Sequence, residues 1–407
     1  MKRYYKNNKY FSFLNYIIEY CILGLGFFLA LSQDVASVFL LVGTIAYIAK
    51  FISFKEVKFK YSIFDIPILL LVVFSAISIT VSPDKFFSFY NCYNLLGRYV
   101  LTYYLLVQNI DNINQVKKLV AAIILSAIGV ISYGFYQYFH GIDVSQFRWV
   151  DDQQFPELKT RVFSTLQNPN ILAGYLLMIG SLCFALMWKL QEWRSKAIFG
   201  AVFVYSTICL LFTYCRGAWL SLAVVLLVYC GVKNRKVLIG GIVAICAFLL
   251  LNVDFTTRLL SVFNASDTSS LMRLALWEST VYMIRDNLFT GIGWGAYWLV
   301  YPQYDFFIQD GSVKVVHAHN MYLNFAAEIG IFGLLSFLGF SLSHLKLALS
   351  KLNSRDNLVK GLMLGLALIS VITLLNGFTD YVLFNIELSM FFWLFNALTI
   401  ILYRIYK

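Results

Sequence analysis

The chain has 407 residues, of which 60% are hydrophobic, 18% aromatic and only 13% charged. Soluble domains carry about 25% charged residues, and long apolar runs recur here from end to end, so the composition excludes a soluble globular protein. The net charge of +11 would suit a nucleic-acid partner, and its distribution along the chain decides whether that class remains open.

Apolar runs of about 17–25 residues predict an all-α polytopic membrane protein, with one membrane domain over residues 1–407 and about twelve transmembrane helices. The first run follows the basic stretch MKRYYKNNKY without a cleavage site, which predicts a retained helix rather than a signal peptide. The predicted spans lie near 16–33, 35–54, 63–82, 87–110, 117–139, 169–188, 197–215, 217–232, 237–253, 320–345, 361–383 and 386–403.

Most of the 32 lysine and arginine residues fall in short loops and tails on the same side as the N-terminus. Such loops stay in the cytoplasm, so the pattern predicts that both termini are cytoplasmic. The positive charge therefore serves membrane topology, and no nucleic-acid partner is predicted. Arg98 lies inside a predicted helix. The seven cysteines lie in or beside apolar runs without a CxxC, which predicts small core residues and no disulfide framework.

Two segments predicted to face outward, 140–168 and 254–316, are long enough to hold structure, and functional groups concentrate in such loops. The second contains LMRLALWESTVYMIRDNLF, with apolar residues at helical spacing. This spacing predicts an amphipathic helix that lies along the membrane interface or packs over the bundle as a lid. The stripe consists of Leu274, Trp277, Val281, Ile284 and Leu288.

The GIGWG stretch that follows superficially resembles a dinucleotide-binding loop. It follows a helix rather than a strand and lies outside the membrane, which favours a turn that ends the amphipathic helix.

Several polar residues are predicted at the outward ends of helices. The positive-inside bias depletes arginine there, so each arginine either pairs with an outer acid or binds an anionic ligand. The outer acids are Asp151, Asp152, Asp254 and Asp267. The candidate site residues are Arg161, Asn170, Arg216, Arg273, Arg285, His317, His319 and Asn320.

Arginine presents a planar fork of donors that suits phosphate oxygens. Converging arginines at a membrane surface suggest recognition of a lipid-attached diphosphate, whose charge grows as its bond to a sugar breaks. A neutral imidazole could accept the proton of an attacking hydroxyl. The pattern predicts glycosyl transfer from a polyprenyl-diphosphate donor without a metal or other cofactor.

The histidines also allow other interpretations. His317 and His319 have the spacing of two zinc ligands, but the sequence offers no third ligand of suitable spacing. Either residue could instead cap the following helix or bind a backbone carbonyl. His140 and His344 are predicted at opposite membrane faces, away from any site.

Four stretches resemble, in order, the signatures of the O-antigen ligase and polymerase superfamily: RVFSTLQNPNILAGYL, YCRGAWLSL, RLALWE…GIGWGAY and HAHNMYLNFAAEIGIFG. His319-Asn320, nine residues and then Gly330-x-x-Gly333 are similar to the His-[Asn/Ser/Gln]-x9-Gly-x-x-Gly pattern of the ligases. The resemblance implies a GT-C-type glycosyltransferase of the bacterial inner membrane with a periplasmic active site. It implies a role in lipopolysaccharide biosynthesis, where polysaccharide passes from undecaprenyl diphosphate to a lipid A–core sugar.

By motif, the resemblance implies that His319 is the base or orients the acceptor, and that Arg216 and Arg273 are catalytic groups that bind the diphosphate. Arg161 would support the donor site. His317, Asn320, Arg285 and Asn170 are candidate supporting residues, and segments 140–168 and 254–316 would cap the site. Gly330 and Gly333 are expected to allow close helix packing.

The chain departs from the family in NLFTGIG, where the family often has proline before the Gly-x-Gly turn. A polymerase that extends lipid-linked repeat units remains an alternative, since these motifs do not separate it from a ligase. A glycan-lipid transporter is less favoured, because the polar residues lie mostly outside the membrane rather than near its midplane.

Overall fold

The computed structural model describes residues 8–62, 64–141, 161–252, 256–257, 260, 268–306 and 314–407. Within these ranges the chain is helical and has no β-strand, which confirms the predicted all-α class. The predicted arginine partners Asp151, Asp152, Asp254 and Asp267 lie outside the described residues, as does much of the segments 140–168 and 254–316. The predicted cap formed by these segments therefore stays a prediction.

The helices are numbered in chain order. They are α1 (Lys9–Phe28), α2 (Gln33–Ser53), α3 (Asp65–Val81), α4 (Lys85–Asn91), α5 (Gly97–Asn109), α6 (Ile113–His140), α7 (Pro169–Lys189), α8 (Trp193–Phe212), α9 (Arg216–Lys233), α10 (Arg235–Leu251), α11 (Thr268–Asp286), α12 (Tyr297–Val300), α13 (Met321–Ser350), α14 (Asn357–Asn376) and α15 (Ile386–Ile405). A π-helical turn, Cys92–Leu96, joins α4 to α5. Short 3-10 turns lie at Ser164–Leu166, Tyr301–Gln303 and Val382–Phe384.

Nine helices in the described part of the chain are long and apolar enough to cross a membrane: α1, α2, α6, α7, α8, α9, α13, α14 and α15. The protein is therefore a multi-pass membrane protein. Every predicted span overlaps a helix, but the predicted count of about twelve is not confirmed. Helices α3 and α10 have 17 residues each, and the span predicted at 87–110 is divided by the π-helical turn.

Helices α7, α14 and α15 form the centre of the bundle, because most of their side chains are buried. Helices α1, α2 and α8 instead expose much of their apolar surface, as expected where a helix faces lipid. Helix α7 begins at Pro169, and the Asn168 side chain caps it by accepting from the backbone N–H groups of Asn170 and Ile171. Proline at the first position and asparagine at the N-cap both favour a helix start here, which fixes Asn170 at the N-terminal end of a buried helix.

The predicted helix 361–383 is wrong at its C-terminal end, because α14 stops at Asn376. The Asn376 carbonyl accepts from the backbone N–H groups of Thr379 and Asp380, which turns the chain out of the helix. Hydropathy assigns the apolar residues around Asp380 to a membrane-spanning segment. A carboxylate inside the membrane is costly unless it is paired. Residues 377–385 form a loop between α14 and α15, and this loop carries Asp380 to the end of the bundle at which α7 begins.

Helix α13 is broken at Gly330, whose φ of +72° and ψ of 174° are not helical. A Cβ atom at this position would collide with the Phe289 carbonyl, so only glycine fits. The break leaves the Ala327 carbonyl without its helical partner, and the Ile292 N–H of the GIGWG stretch donates to it at 2.9 Å. The predicted turn at GIGWG is thus confirmed, and it packs against the break in α13.

Glu328 and Gly333 flank this break. The backbone N–H of Gly295 donates to Glu328 Oε2 at 3.0 Å, and the N–H of Gly293 donates to the Glu328 carbonyl at 3.1 Å. The nearest neighbour of Gly333 is the Ile329 side chain of its own helix, not another helix. The close packing predicted for the glycine pair therefore comes from Gly330 alone.

Candidate active site

His319 lies one residue before the N-cap of α13 and contacts a carboxylate from the loop between α14 and α15. Its Nδ1 atom is 3.0 Å from Asp380 Oδ1. About a third of the His319 side chain is exposed, against 6% for Asp380. The backbone of His319 has a φ of +48°, a left-handed conformation that costs a non-glycine residue about 1–3 kcal/mol. Such strain is held by surrounding contacts and often marks functional positions.

The contacts that hold His319 in place run between the start of α13 and the end of α14. Asn320 is the N-cap of α13, and its side-chain amide also donates to the Phe378 carbonyl at 3.1 Å. The Met321 N–H donates to the Gly377 carbonyl at 2.8 Å. The two segments are therefore joined directly beside the His319–Asp380 contact. Asn320 thus supports the site through backbone geometry.

Asp380 is ionised in this environment. Burial raises its pKa, but the charge of His319, the hydrogen bond from His319, and the charges of His317 and Arg273 lower it, so that the pKa lies well below its usual range. An ionised Asp380 accepts from His319 Nδ1–H and leaves Nε2 as the acceptor nitrogen. This is the relation of a base to the carboxylate that orients it.

A chain of hydrogen bonds continues from Asp380 towards the arginines. Asn170 Nδ2 donates to Asp380 Oδ2 at 2.8 Å, and Arg161 Nη2 donates to Asn170 Oδ1 at 2.9 Å. Arg161 Nε also donates to the Thr213 carbonyl at 2.9 Å. Asn170 thus connects the predicted donor arginine with the carboxylate that orients His319.

Arg216 is buried, with 6% of its surface exposed, and it is the first residue of α9. A helix N-terminus carries a partial positive charge, so a buried cation there is favoured by a nearby anion. Gly217 brings this helix end against the loop of Asp380, since a Cβ atom at Gly217 would collide with the Thr379 side chain. Arg216 therefore directly precedes the residue that packs against Thr379, next to Asp380.

Arg273 is half-buried on α11 and has no hydrogen-bond partner among the residues that the structure describes. Its charge nevertheless reaches the site. Burial lowers the pKa of Arg161, and the positive charges of Arg273 and Arg216 lower it further, whereas the negative charge of Asp380 raises it. Arg216, Arg273 and the buried carboxylate of Asp380 are thus each close enough to Arg161 to act on its charge.

Helix α11 is fixed by a small hydrophobic cluster of its own. Leu276 and Met283 are buried against Tyr297, and Thr280 Oγ1 is 2.7 Å from the Tyr297 hydroxyl. The same cluster contains Ala318, between the two histidines. The predicted helix is confirmed over Thr268–Asp286, and its buried face is the one opposite the exposed stripe residues Leu274 and Val281, while Leu288 lies beyond its end. An exposed apolar face and a packed face agree with both the interface and the lid interpretation.

Sequence comparison with known proteins finds one similar family. Residues 201–338 match the O-antigen ligase family model. Over this segment the chain is similar to the O-antigen ligase superfamily. The matched segment contains Arg216, Arg273, His317 and His319, whereas Asn170 and Asp380 lie outside it. No curated protein matches the chain.

The two histidines of the matched segment have different environments. Burial lowers the pKa of His317 to about 3, and the charges of His319 and Arg273 add to this effect while Asp380 opposes it. His317 is therefore neutral, and its Nδ1 accepts from the His319 backbone N–H at 3.2 Å. His317 supports the backbone of His319, while His319 has the exposed ring.

The expectation that no third metal ligand is available is wrong. His317, His319 and Asp380 each offer a ligand atom within 4.8 Å of the others. Two imidazoles and a carboxylate suit Zn²⁺ or Fe²⁺. However, Arg273 is close enough to lower the pKa of both Asp380 and His317, and a cation beside the site disfavours a divalent ion. The geometry alone would accept a metal, while the charges around it favour an anion.

The remaining predicted residues lie apart from this cluster. Arg285 is exposed in the last turn of α11 and has no hydrogen bond to the site residues within the described chain. His140 is exposed at the end of α6 and stacks on Tyr136. His344 is fully buried, 3.0 Å from the Tyr103 hydroxyl, and its Nδ1 contacts the Phe340 carbonyl of its own helix. His344 is a packing residue.

Sequence reasoning missed Asp380. The available signal was that it is the only acid between Asp356 and Glu387, in an otherwise apolar run. A lone carboxylate within a predicted span indicates a functional site.

Proposed function

We propose that this protein is an O-antigen ligase, a GT-C-type glycosyltransferase of the bacterial inner membrane whose site faces the periplasm. It transfers polysaccharide from undecaprenyl diphosphate to a sugar of lipid A–core without a metal ion. The observation that carries the proposal is the contact of His319 with Asp380 beside three arginines. A proton acceptor next to a cationic surface is what the reaction needs, and this contact supports the proposal for that reason.

The reaction forms one bond and breaks one. The acceptor hydroxyl oxygen attacks the anomeric carbon of the donor sugar, and the bond from that carbon to the diphosphate oxygen breaks. His319 Nε2 takes the hydroxyl proton, and Asp380 stabilises the imidazolium through Nδ1–H. The diphosphate leaves on the lipid with the bonding electron pair, and Arg161, Arg216 and Arg273 stabilise the charge that develops on it.

The test is transfer by the purified protein between an undecaprenyl-diphosphate-linked glycan and lipid A–core. The His319→Ala variant should lose about 100- to 10,000-fold in rate, as expected for loss of a general base. The Arg216→Ala variant should lose about 100- to 1,000-fold, as expected for loss of a preorganised charge. Matched controls are His140→Ala and Arg194→Ala, two exposed residues that contact aromatic rings of their own helices.

Several outcomes would contradict the proposal. Full activity of the Arg216→Ala protein would refute the diphosphate role, and a rate abolished by EDTA and restored by a divalent ion would refute metal independence. Chain lengthening of the lipid-linked donor without lipid A–core would identify a polymerase instead. Absence of any new glycosidic bond would leave a transport function.

A further inference from the structure

A second polar site lies at the same end of the bundle. A cavity of about 510 Å3 opens between the turn from α1 to α2, the 3-10 turn Ser164–Leu166 and the start of α15. Its volume falls within the range of small-molecule pockets, about 300–1,000 Å3. Its polar side chains include Gln33, Asp34, Gln167, Asn385 and Glu387. Among the described residues that line it there is no lysine or arginine. We call it the acidic cavity.

The acidic cavity contains a carboxylate that is only partly satisfied. In the amide orientation that suits both neighbours, Gln33 donates to Glu387 Oε1 at 3.1 Å and accepts from Arg98 Nη1 at 3.1 Å. The other oxygen, Glu387 Oε2, is buried and has no hydrogen-bond partner within the described part of the chain. An unpaired buried acceptor is costly, and a hydroxyl donor from a ligand would satisfy it after a small shift of the side chain.

The rim of the acidic cavity is structured. Thr165 Oγ1 donates to the Ala30 carbonyl at 2.5 Å, which joins two of the three segments that form the cavity. Gln167 has a φ of +58°, a left-handed conformation that turns its exposed side chain to the rim. Asn168 follows directly and caps the helix that carries Asn170. The cavity and the hydrogen-bond chain of the active site are therefore built on adjacent residues.

Phe384 connects the acidic cavity with the histidines. It lines the cavity, and its ring centroid lies 4.5 Å from that of His317. The rings of His317 and His319 are in turn 4.3 Å apart. A ligand seated in the cavity would therefore reach the imidazole pair past a single aromatic ring, and such a ring also offers an apolar face to a sugar.

Charge separates the two sites. Arg161 contacts Asn170, Arg216 precedes the glycine that packs on Thr379, and Arg273 interacts with Arg161. Asp34 and Glu387 instead line the acidic cavity. A diphosphate is attracted to the arginines and repelled by the carboxylates. Carboxylates and amides accept and donate hydrogen bonds to hydroxyl groups, so the cavity suits an uncharged, hydroxyl-rich ligand.

We propose that the acidic cavity binds the sugar ring of the acceptor, with Asp34 and Glu387 accepting hydrogen bonds from its hydroxyl groups. This inference rests on the proposed function and adds the place and chemistry of the second substrate. It separates the acceptor from the donor: the anionic lipid diphosphate binds at the arginines, and the neutral ring presents its nucleophilic hydroxyl to His319 from the opposite side.

The experiment measures steady-state transfer with each substrate varied in turn, for the wild type and for the Glu387→Gln, Asp34→Asn and Gln33→Ala variants. Loss of a hydrogen bond to a charged group should raise the acceptor KM about tenfold or more, while the donor KM and the rate at saturating acceptor change less than about twofold. The control is Glu192→Gln, an exposed carboxylate beyond the opposite end of α7, which should leave both KM values as in the wild type.

A binding readout guards against variants that only lose activity. Core oligosaccharide freed of its lipid should raise the Tm of the detergent-purified wild type, and it should not raise that of Glu387→Gln. A raised donor KM with an unchanged acceptor KM would overturn the inference and assign the cavity to the donor sugar. Unchanged KM values in all three variants would also overturn it, while wild-type transfer would leave the proposed function intact. A wild type that transfers nothing to lipid A–core would overturn both.

Discussion

Replacement of Asp380 by asparagine would remove the negative charge beside His319 while keeping the size of the side chain. Asp380 Oδ1 accepts from His319 Nδ1 and from the Tyr381 N–H at 2.8 Å, and Oδ2 accepts from Asn170 Nδ2. An asparagine has one acceptor and one donor for these three donors. If its oxygen replaces Oδ1, its amide faces the amide of Asn170. If its nitrogen replaces Oδ1, it faces the Tyr381 N–H and favours the wrong tautomer of His319.

The size of the effect follows from these contacts. The variant loses one hydrogen bond to a charged acceptor, worth about 1.5–3 kcal/mol, and the charge that stabilises the imidazolium in the transition state. At about 1.4 kcal/mol for each factor of ten, the Asp380→Asn protein should lose about ten- to a hundredfold in kcat. The donor KM should not rise, because loss of a negative charge makes the region around Arg161 and Arg273 more attractive to a diphosphate.

The assay is transfer to lipid A–core at saturating acceptor with the donor varied, on protein whose abundance and elution in detergent match those of the wild type. A lower kcat with an equal or lower donor KM supports the role of Asp380 in positioning and charge-stabilising His319. A kcat equal to that of the wild type would refute the reasoning. A higher donor KM with an unchanged kcat would also refute it, since it would make Asp380 a binding residue for the donor.

Two further predictions concern stability. Burial lowers the pKa of His317 to about 3 in the folded protein, against about 6.5 in the unfolded chain. As the pH falls, the unfolded chain therefore binds the proton first. The contribution of neutral His317 to the free energy of unfolding is fully present above pH 6.5 and is lost as the pH falls towards 3. At pH 5 this loss of unfolding free energy should be about 2 kcal/mol. The decrease in Tm between pH 7 and pH 5 should therefore be smaller in His317→Gln than in the wild type. An equal decrease in both proteins would contradict the lowered pKa of His317. Gly330→Ala should lower the Tm and the abundance of the protein, because its Cβ atom meets the Phe289 carbonyl at a positive φ, a conformation that costs about 1–3 kcal/mol. Gly240→Ala, which has open space around the new Cβ atom, should not lower the Tm, and equal effects of the two changes would refute the steric explanation.

The sequence predicts this fold well where hydropathy and helix signals agree. The start of α7 illustrates this, because Asn168 and Pro169 form a cap that local chemistry recognises and the structure keeps. The prediction of the end of α14 fails because hydropathy and local chemistry disagree there. Hydropathy averages over a window, so a single carboxylate at Asp380 does not interrupt the apolar run, whereas folding has to pair that charge. The sequence also does not predict the break at Gly330. A glycine within an apolar helix resembles a packing residue, and only the folded structure shows that the GIGWG turn packs against it.

The candidate site is partly predictable for a related reason. Arg216 and Arg273, which we propose to act by charge, run against the predicted positive-inside pattern and can be recognised individually. Residues that act through a partner cannot, because Asn170 and Asp380 are 210 positions apart and meet only in the folded chain. The sequence therefore predicts the groups expected to bind the donor and misses the carboxylate that orients the base. Glu387 is equally hard to recognise, since its partner Gln33, and Arg98, which donates to Gln33, come from distant helices.

The N-termini of three helices add to the positive charge of the site. Helices α7, α9 and α13 begin at Pro169, Arg216 and Met321, and each of these N-termini lies beside the Asp380 loop through Asn170, Gly217 or Asn320. The unpaired N–H groups of a helix N-terminus give it about half a positive charge, so three helix ends reinforce three arginines around one carboxylate. Asp380 cannot neutralise this surface, and a diphosphate with two or more charges can. The excess positive charge also explains why the acceptor would need a separate region. A sugar hydroxyl gains little from this positive potential, whereas the acidic cavity offers it hydrogen-bond acceptors on the other side of His317.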